Sequence, residues 1–227
     1  MAKYRPVTKE ELEILVQDNC VYLGDIDVSL ITDMSRLFYN SKRTDFSGIE
    51  LWDVSNVTDM SYMFTCAKNF NQDISDWNVS NIIDMSSMFS GAKRFNQDIS
   101  NWNVSQVEDM AFMFADAESF DQDISQWNVS KVKNMQCMFD GAEQFNQDIS
   151  NWHVSNVVDM RSMFAGASSF NQPIGNWDVS NVKDMSWMFN GAKKFNQNLD
   201  DWKIGDSVCS YDIFFHSPTI NNPPTWY

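Results

Sequence analysis

Tryptophan recurs at positions 52, 77, 102, 127, 152, 177 and 202, always 25 residues apart. The same step carries Met60 through Met185, Met63 through Met188, Phe64 through Phe189 and Phe70 through Phe195. Twelve of the 14 methionines fall in two of these columns. The unit reads W-x-V-S-x-V-x-D-M-x-x-M-F-x-G-A-x-x-F-N-Q-D-I-S-x, and six complete copies run from Trp52 to Asp201. A degenerate copy precedes them, with Val28, Ile31, Asp33, Met34, Leu37 and Phe38 in matching roles. A half copy follows, from Trp202 to Phe214, in which Ile213 replaces the second Met. The composition follows from this copying: 17 Phe, 14 Met and 9 Trp stand against seven Leu.

A 25-residue unit is too short to bury its own apolar face, so its copies must bury one another. The fold class expected is a repeat solenoid, leucine-rich-repeat-like, with short parallel strands plus one short helix per 25-residue coil. Met60, Met63, Phe64 and Ala67 fall at i, i+3, i+4 and i+7, the spacing of a helical face. Asp59 precedes them as its N-cap. Gly91, Gly141, Gly166 and Gly191 stand where a left-handed C-cap is expected, and Cys66 and Asp116 depart from that pattern. Trp77-x-Val79 alternates and reads as the strand, stacked on its copies. Phe70 and Ile74 fill the remaining side, and the Asn71-Gln72 pair bonds turn backbone of its own or the next coil.

Both ends read as caps. Thr8-Lys9-Glu10-Glu11 is a capping box opening a helix whose apolar side is Leu12, Leu15 and Val16. The tail has Pro218, Pro223 and Pro224, which oppose further strand addition, with Trp226 and Tyr227 to cover the last coil. The domain organisation is therefore a capping helix and entry over 1–27, a solenoid over 28–214 and a C-terminal cap over 215–227. Cys20, Cys66, Cys137 and Cys209 are scattered without CxxC spacing, and read as four free thiols.

Sixteen Lys and Arg against 31 Asp and Glu give a net charge of −15. That charge disfavours nucleic acid and anionic membrane as partners. No segment reaches the length of a membrane span, so no membrane insertion is expected. Met1 to Val16 has no apolar run like that of a signal peptide, so no export signal is read in this chain.

The W-x-V-S-N-V-x-D-M-S-x-M-F-x-G-A-x-x-F-N-Q-D-I-S unit resembles the 25-residue repeats of BspA-like leucine-rich-repeat surface proteins. The resemblance spans about residues 22 to 227, including Tyr22-Leu23-Gly24-Asp25-Ile26-Asp27. It implies a solenoid, adhesion for some members, and a cell-surface or secreted location, with the cytoplasm as the alternative. It implies no catalytic residue.

The residues themselves point the same way. His153, Ser155 and Asp159 suggest a triad, but Ser155 recurs in every full unit and Asp159 in all but the fourth, where Asn134 stands. A catalytic group should be singular. The chain is read as no enzyme, without cofactor and as a monomer. Asp73, Asp98, Asp123 and Asp148 would stand one coil apart, where calcium would relieve their repulsion. The simpler reading is that each bonds turn amides, since Pro173 and Asn198 interrupt the column.

The function expected is a non-enzymatic binding or adhesion scaffold for a protein or glycan ligand. The alternatives are an acidic mimic of nucleic acid and, last, a carbohydrate-active solenoid enzyme. The ligand-binding candidates are Tyr62, Phe112 and Trp187, from the column between the two Met columns, with Arg161 from its neighbour. Large aromatics and Arg are the common anchors of recognition surfaces.

Overall fold

The computed structural model describes residues 2–227. One α-helix, α1 (Lys9–Gln17), lies near the N-terminus, and short 3-10 segments occupy Leu23–Asp25, Ile49–Leu51 and Pro218–Asn221. Thr8 caps α1 by accepting from the Glu11 amide at 3.3 Å, and the Glu11 carboxylate accepts from the Val7 amide at 2.7 Å. Leu12 and Val16 are buried by this helix, and Leu15 packs partly against the core.

The repeats meet through backbone. Isolated parallel bridges link Asp33 to Asp59 and continue through 84, 109, 134, 159 and 184 to Cys209. Over the turn run, four hydrogen bonds then cross each of the seven junctions, at 2.6–3.1 Å. The amides of Met60, Tyr62, Phe64 and Cys66, for example, donate to the carbonyls of Asp84, Ser86, Met88 and Ser90. The two sides of each peptide group point opposite ways: the carbonyl of Ser61 accepts from Arg36, and the adjoining amide of Tyr62 donates onward to Ser86. Among the described residues no peptide bond is cis. The crossing peptides of the turn run therefore share one direction, with carbonyls toward the N-terminal end and amides toward the C-terminal end, while the single bond just before each run, such as that from the Ile83 amide to the Thr58 carbonyl, points the other way.

The segment over 60–67 is not the short helix its apolar spacing predicts. Its local bonds run from Met63 to Met60, Thr65 to Tyr62 and Ala67 to Phe64, all i→i+3. It is a run of consecutive turns, because alternate amides are committed to the next unit and cannot return to i−4. A turn whose third residue has positive φ needs no helix around it. Tyr62 (φ 58°) and Cys66 (φ 58°) hold that position, as do their copies in each unit. Asp59 is accordingly no helix N-cap. Its carboxylate accepts from the Ser61 amide two residues on, at 2.8 Å. The bridged residues also lie at the Asp59 column and not at Trp77-x-Val79.

Side chains inside the stack repeat with the backbone. The Phe38, Phe64, Phe89 column continues to Phe214 with ring centroids 5.4–5.8 Å apart. Within a unit, Phe89 stacks on Phe95 at 3.9 Å. The column tryptophans are buried, each donating its indole N–H to a carbonyl 28 or 29 residues earlier, as Trp102 does to Ile74 at 3.2 Å. On the flank, Asn71 accepts from the Asn96 amide at 2.8 Å, and Asn96, Asp121, Asn146 and Asn171 repeat the bond. This explains why Asp121 substitutes there: only the Oδ1 acceptor is needed.

At the C-terminal end Trp226 stacks on Trp202 at 6.0 Å and donates to the Leu199 carbonyl at 2.7 Å. It thus extends the tryptophan column by one more member.

Candidate functional site

The turn run exposes one side of each unit, and two columns on it hold left-handed backbone. The first is Arg36, Tyr62, Ser87, Phe112, Cys137, Ser162, Trp187 and Asp212, with φ between 50° and 62°. The second, four residues on, is Asn40, Cys66, Gly91, Asp116, Gly141, Gly166, Gly191 and His216. Positive φ costs an L-residue roughly 1–2 kcal/mol that glycine avoids. The second column uses glycine in four of eight units, and the first in none. Backbone geometry alone would favour glycine in both.

The small members of the first column sink into it: Ser87 and Cys137 are buried. The large members stand out. Trp187 is 41% exposed and meets Tyr211 edge-on at 5.5 Å, while Tyr62 and Phe112 are half-buried. The Arg36 guanidinium lies 4.6 Å from the centre of the Tyr62 ring and 5.6 Å from that of Tyr39. Tyr62, Phe112 and Trp187 thus share a column but stand two and three units apart.

Arg161 sits beside that column and is already engaged. Its Nε and Nη2 donate to Asp159 at 3.0 and 2.6 Å, its Nη2 reaches Gln136 at 3.2 Å, and its Nε lies 3.7 Å from Asp184. It neutralises a stack of carboxylates rather than offering a free cation. The Asp59 column explains this. Each member accepts from the amide two residues on, which fixes Asp or Asn there, and the bridges then place carboxylates one unit apart. Lys9 relieves the first, Asp33, at 3.0 Å, and Asn134 donates to Asp109 at 3.1 Å. Burial, opposed by hydrogen bonds and helped by the charges of Asp84 and Asp159, holds the Asp109 carboxyl above its ordinary range.

A second acidic pair lies nearby. Burial, aided by the charge of Asp116, pushes the Asp140 carboxyl up to about 6. Burial also pushes the adjacent Cys137 thiol up to about 12.

The Asp73, Asp98, Asp123 and Asp148 carboxylates each accept from the serine amide two residues on at 2.9 Å. These bonds hold Asp73, Asp98 and Asp148 below the usual carboxylate range. Asn198 makes the same bond to Asp200 at 2.8 Å without a charge. The column is thus accounted for by turn geometry, and among the described residues no group of three or more His, Cys, Asp or Glu is arranged to hold a metal ion. His153 is exposed and forms no hydrogen bond with Ser155 or Asp159, whose carboxylate belongs to Arg161.

Two residues of this face lie outside the sequence reading, Arg36 and Tyr211. Both belong to the degenerate end units, where only part of the consensus survives. The signal that locates them is the offset from Met34 and from Ile213.

A family model described as "Mycoplasma protein of unknown function, DUF285" matches residues 32–145 and, overlapping them, 119–226. No curated protein and no solved structure gives a significant match.

Proposed function

Since the chain belongs to that family of Mycoplasma-type proteins of unknown function, we propose that it is a non-enzymatic binding or adhesion scaffold. Its units form one solenoid of leucine-rich-repeat type, in the manner of BspA-like surface repeats. The turn face presents the ligand surface, and the ligand is a protein or a glycan. A cell-surface or secreted location accords with this reading.

One observation carries it. Eight successive left-handed positions hold side chains and never glycine, at a conformational cost in each unit. Three of these side chains are large aromatics that remain at least partly in solvent. Strained backbone that presents exposed aromatic groups is a mark of recognition surfaces.

The test is a glycan array and an affinity capture run with the wild type and with Tyr62→Ser/Phe112→Ser/Trp187→Ser together. The triple variant is expected to lose the partner with a nearly unchanged melting temperature. Undiminished capture by a folded triple variant overturns the reading.

A further inference from the structure

The direction of the peptide groups gives the two ends of the stack different chemistry. At the C-terminal end the amides of Ser210, Asp212, Phe214 and His216 occupy the donor positions, and none has an acceptor among the described residues. At the N-terminal end the carbonyls of Asp33, Ser35, Leu37 and Tyr39 accept no hydrogen bond among the described residues. An unpaired backbone edge invites another chain. Over the turn run, however, one edge carries only donors and the other only acceptors. Two C-terminal ends would set donor against donor, and two N-terminal ends acceptor against acceptor. Only opposite ends are complementary.

The end caps leave part of each edge free. The tail covers the core half of the last unit: Trp226 and Tyr227 pack on Phe214, and Thr219 bonds to the Phe195 carbonyl. The turn half stays open, with Tyr211 65% and Phe215 45% exposed. At the other end α1 is tied to the start of the first unit through Lys9, which donates to Asp33 and Ser35. A cleft separates the last turn of α1 from Arg36 and Tyr39.

The side chains at these two ends are also matched, column by column. Tyr39 and Phe215 are the end members of one column, both 45% exposed, whereas its inner members are Thr65, Ser90, Ala115, Asp140, Ala165 and Asn190. Arg36 and Asp212 are the end members of the first left-handed column and carry opposite charges.

We propose that the chain binds a second copy of itself head to tail. The C-terminal edge of one copy continues the ladder onto the turn half of the first unit of the next. Phe214 and His216 amides donate to Leu37 and Tyr39 carbonyls, Asp212 pairs with Arg36, and Phe215 packs on Tyr39. The seven internal junctions are the pattern for this contact, which repeats their register. A head-to-tail contact leaves one free edge of each kind, so growth is open-ended. The proposal replaces the expectation of a monomer and is independent of the ligand assigned to the turn face.

Sedimentation velocity tests it, up to about 1 mM, where even a weak contact is populated. The wild type is expected to form concentration-dependent oligomers. Tyr39→Asp blocks the head and Phe215→Asp blocks the tail, and each variant alone should sediment as a monomer. Mixed, the intact tail of one meets the intact head of the other, giving a dimer that contains one of each and grows no further. A wild type monomeric at the top concentration, oligomers persisting in a single variant, or a mixture that stays monomeric would each overturn the proposal.

Discussion

The indole Nε1 of Trp127 donates a hydrogen bond to the carbonyl oxygen of Ile99, 3.1 Å away and 28 residues earlier. The same carbonyl also accepts from the Trp102 amide three residues on, at 3.1 Å, so both of its lone pairs are used. The indole bond recurs from Trp52, bonded to Leu23, to Trp226, bonded to Leu199. Each tryptophan thus serves two purposes. Its ring fills the space beside the phenylalanine stack, and its N–H ties one unit to the backbone of the one before. Trp127→Phe keeps most of the volume but removes that tie, leaving Ile99 with its local bond alone, which should cost about 0.5–1.5 kcal/mol. Trp127→Ala adds a cavity and should cost about 3–5 kcal/mol. Urea denaturation resolves the two, and equal losses in both variants would show that the ring's volume contributes nothing beyond the hydrogen bond.

The columns that bury these rings were legible in the sequence, because a residue held constant over six units must meet the same neighbours in each. The backbone that carries them was not. Met60, Met63, Phe64 and Ala67 fit a helical face, yet the same residues face inward from consecutive turns. The choice is made by the Tyr62 and Phe64 amides, which bond 24 residues onward, and no local spacing reports that. Glycines at 91, 141, 166 and 191 announced one left-handed column. The other, at Tyr62, Phe112 and Trp187, carries no glycine and gave no such signal. Those three residues stand out by their variability, and Arg161 by its chemistry. Its engagement with Asp159 becomes evident only once the carboxylates are stacked.

Asp140 gives a pH dependence with a definite sign. Its folded pKa is about 6, above the ordinary value of 3.8. The folded state therefore binds the proton more tightly than the unfolded state between those values. Stability from this group is full below about pH 4 and is lost as pH rises through about 6. Asp109, also raised, acts in the same direction. The depressed Asp73, Asp98 and Asp148 act oppositely, losing their contribution as pH falls below the ordinary carboxylate range. Asp140→Asn should flatten the fall between pH 4 and 6 and leave the variant more stable than wild type at pH 7. Parallel denaturation curves for the two proteins across that window would refute the assignment.

The four thiols should separate by access. Cys20 and Cys209 are exposed, Cys66 is partly covered, and Cys137 is buried with its thiol pushed up to about 12. The thiolate is the reactive form, so Cys137 is protected twice over. A native titration with a disulfide reagent should release two thiols quickly and a third more slowly. The fourth should appear only on unfolding, and all four should be counted without prior reduction. Rapid native labelling of Cys137 would show that its unit opens readily.

Asp116 stands in the left-handed column where Gly141, Gly166 and Gly191 stand in later units, with φ 54°. Two costs meet at this residue. An L-residue there carries up to about 1–2 kcal/mol of backbone strain, though Asp tolerates the region better than most. Its carboxylate also faces Asp140, raising the pKa of that group. A side chain begun at Gly141 would set its Cβ 2.5 Å from the Asp116 Oδ1, so the Asp116 carboxylate lies in the space that glycine leaves. Asp116→Gly removes strain and charge together. It should stabilise the protein by about 1 kcal/mol near neutral pH, offset in part by the added freedom of glycine in the unfolded chain. It should also lower the Asp140 pKa, so that the stabilisation shrinks as pH falls below about 6. Asp116→Asn separates the contributions, since it removes the charge and keeps the side chain. If Asn matches Gly, charge governs the site; if Asn leaves stability at the wild-type level, backbone strain governs it. A loss of stability with both variants would mean that Asp116 makes a favourable contact that outweighs both costs.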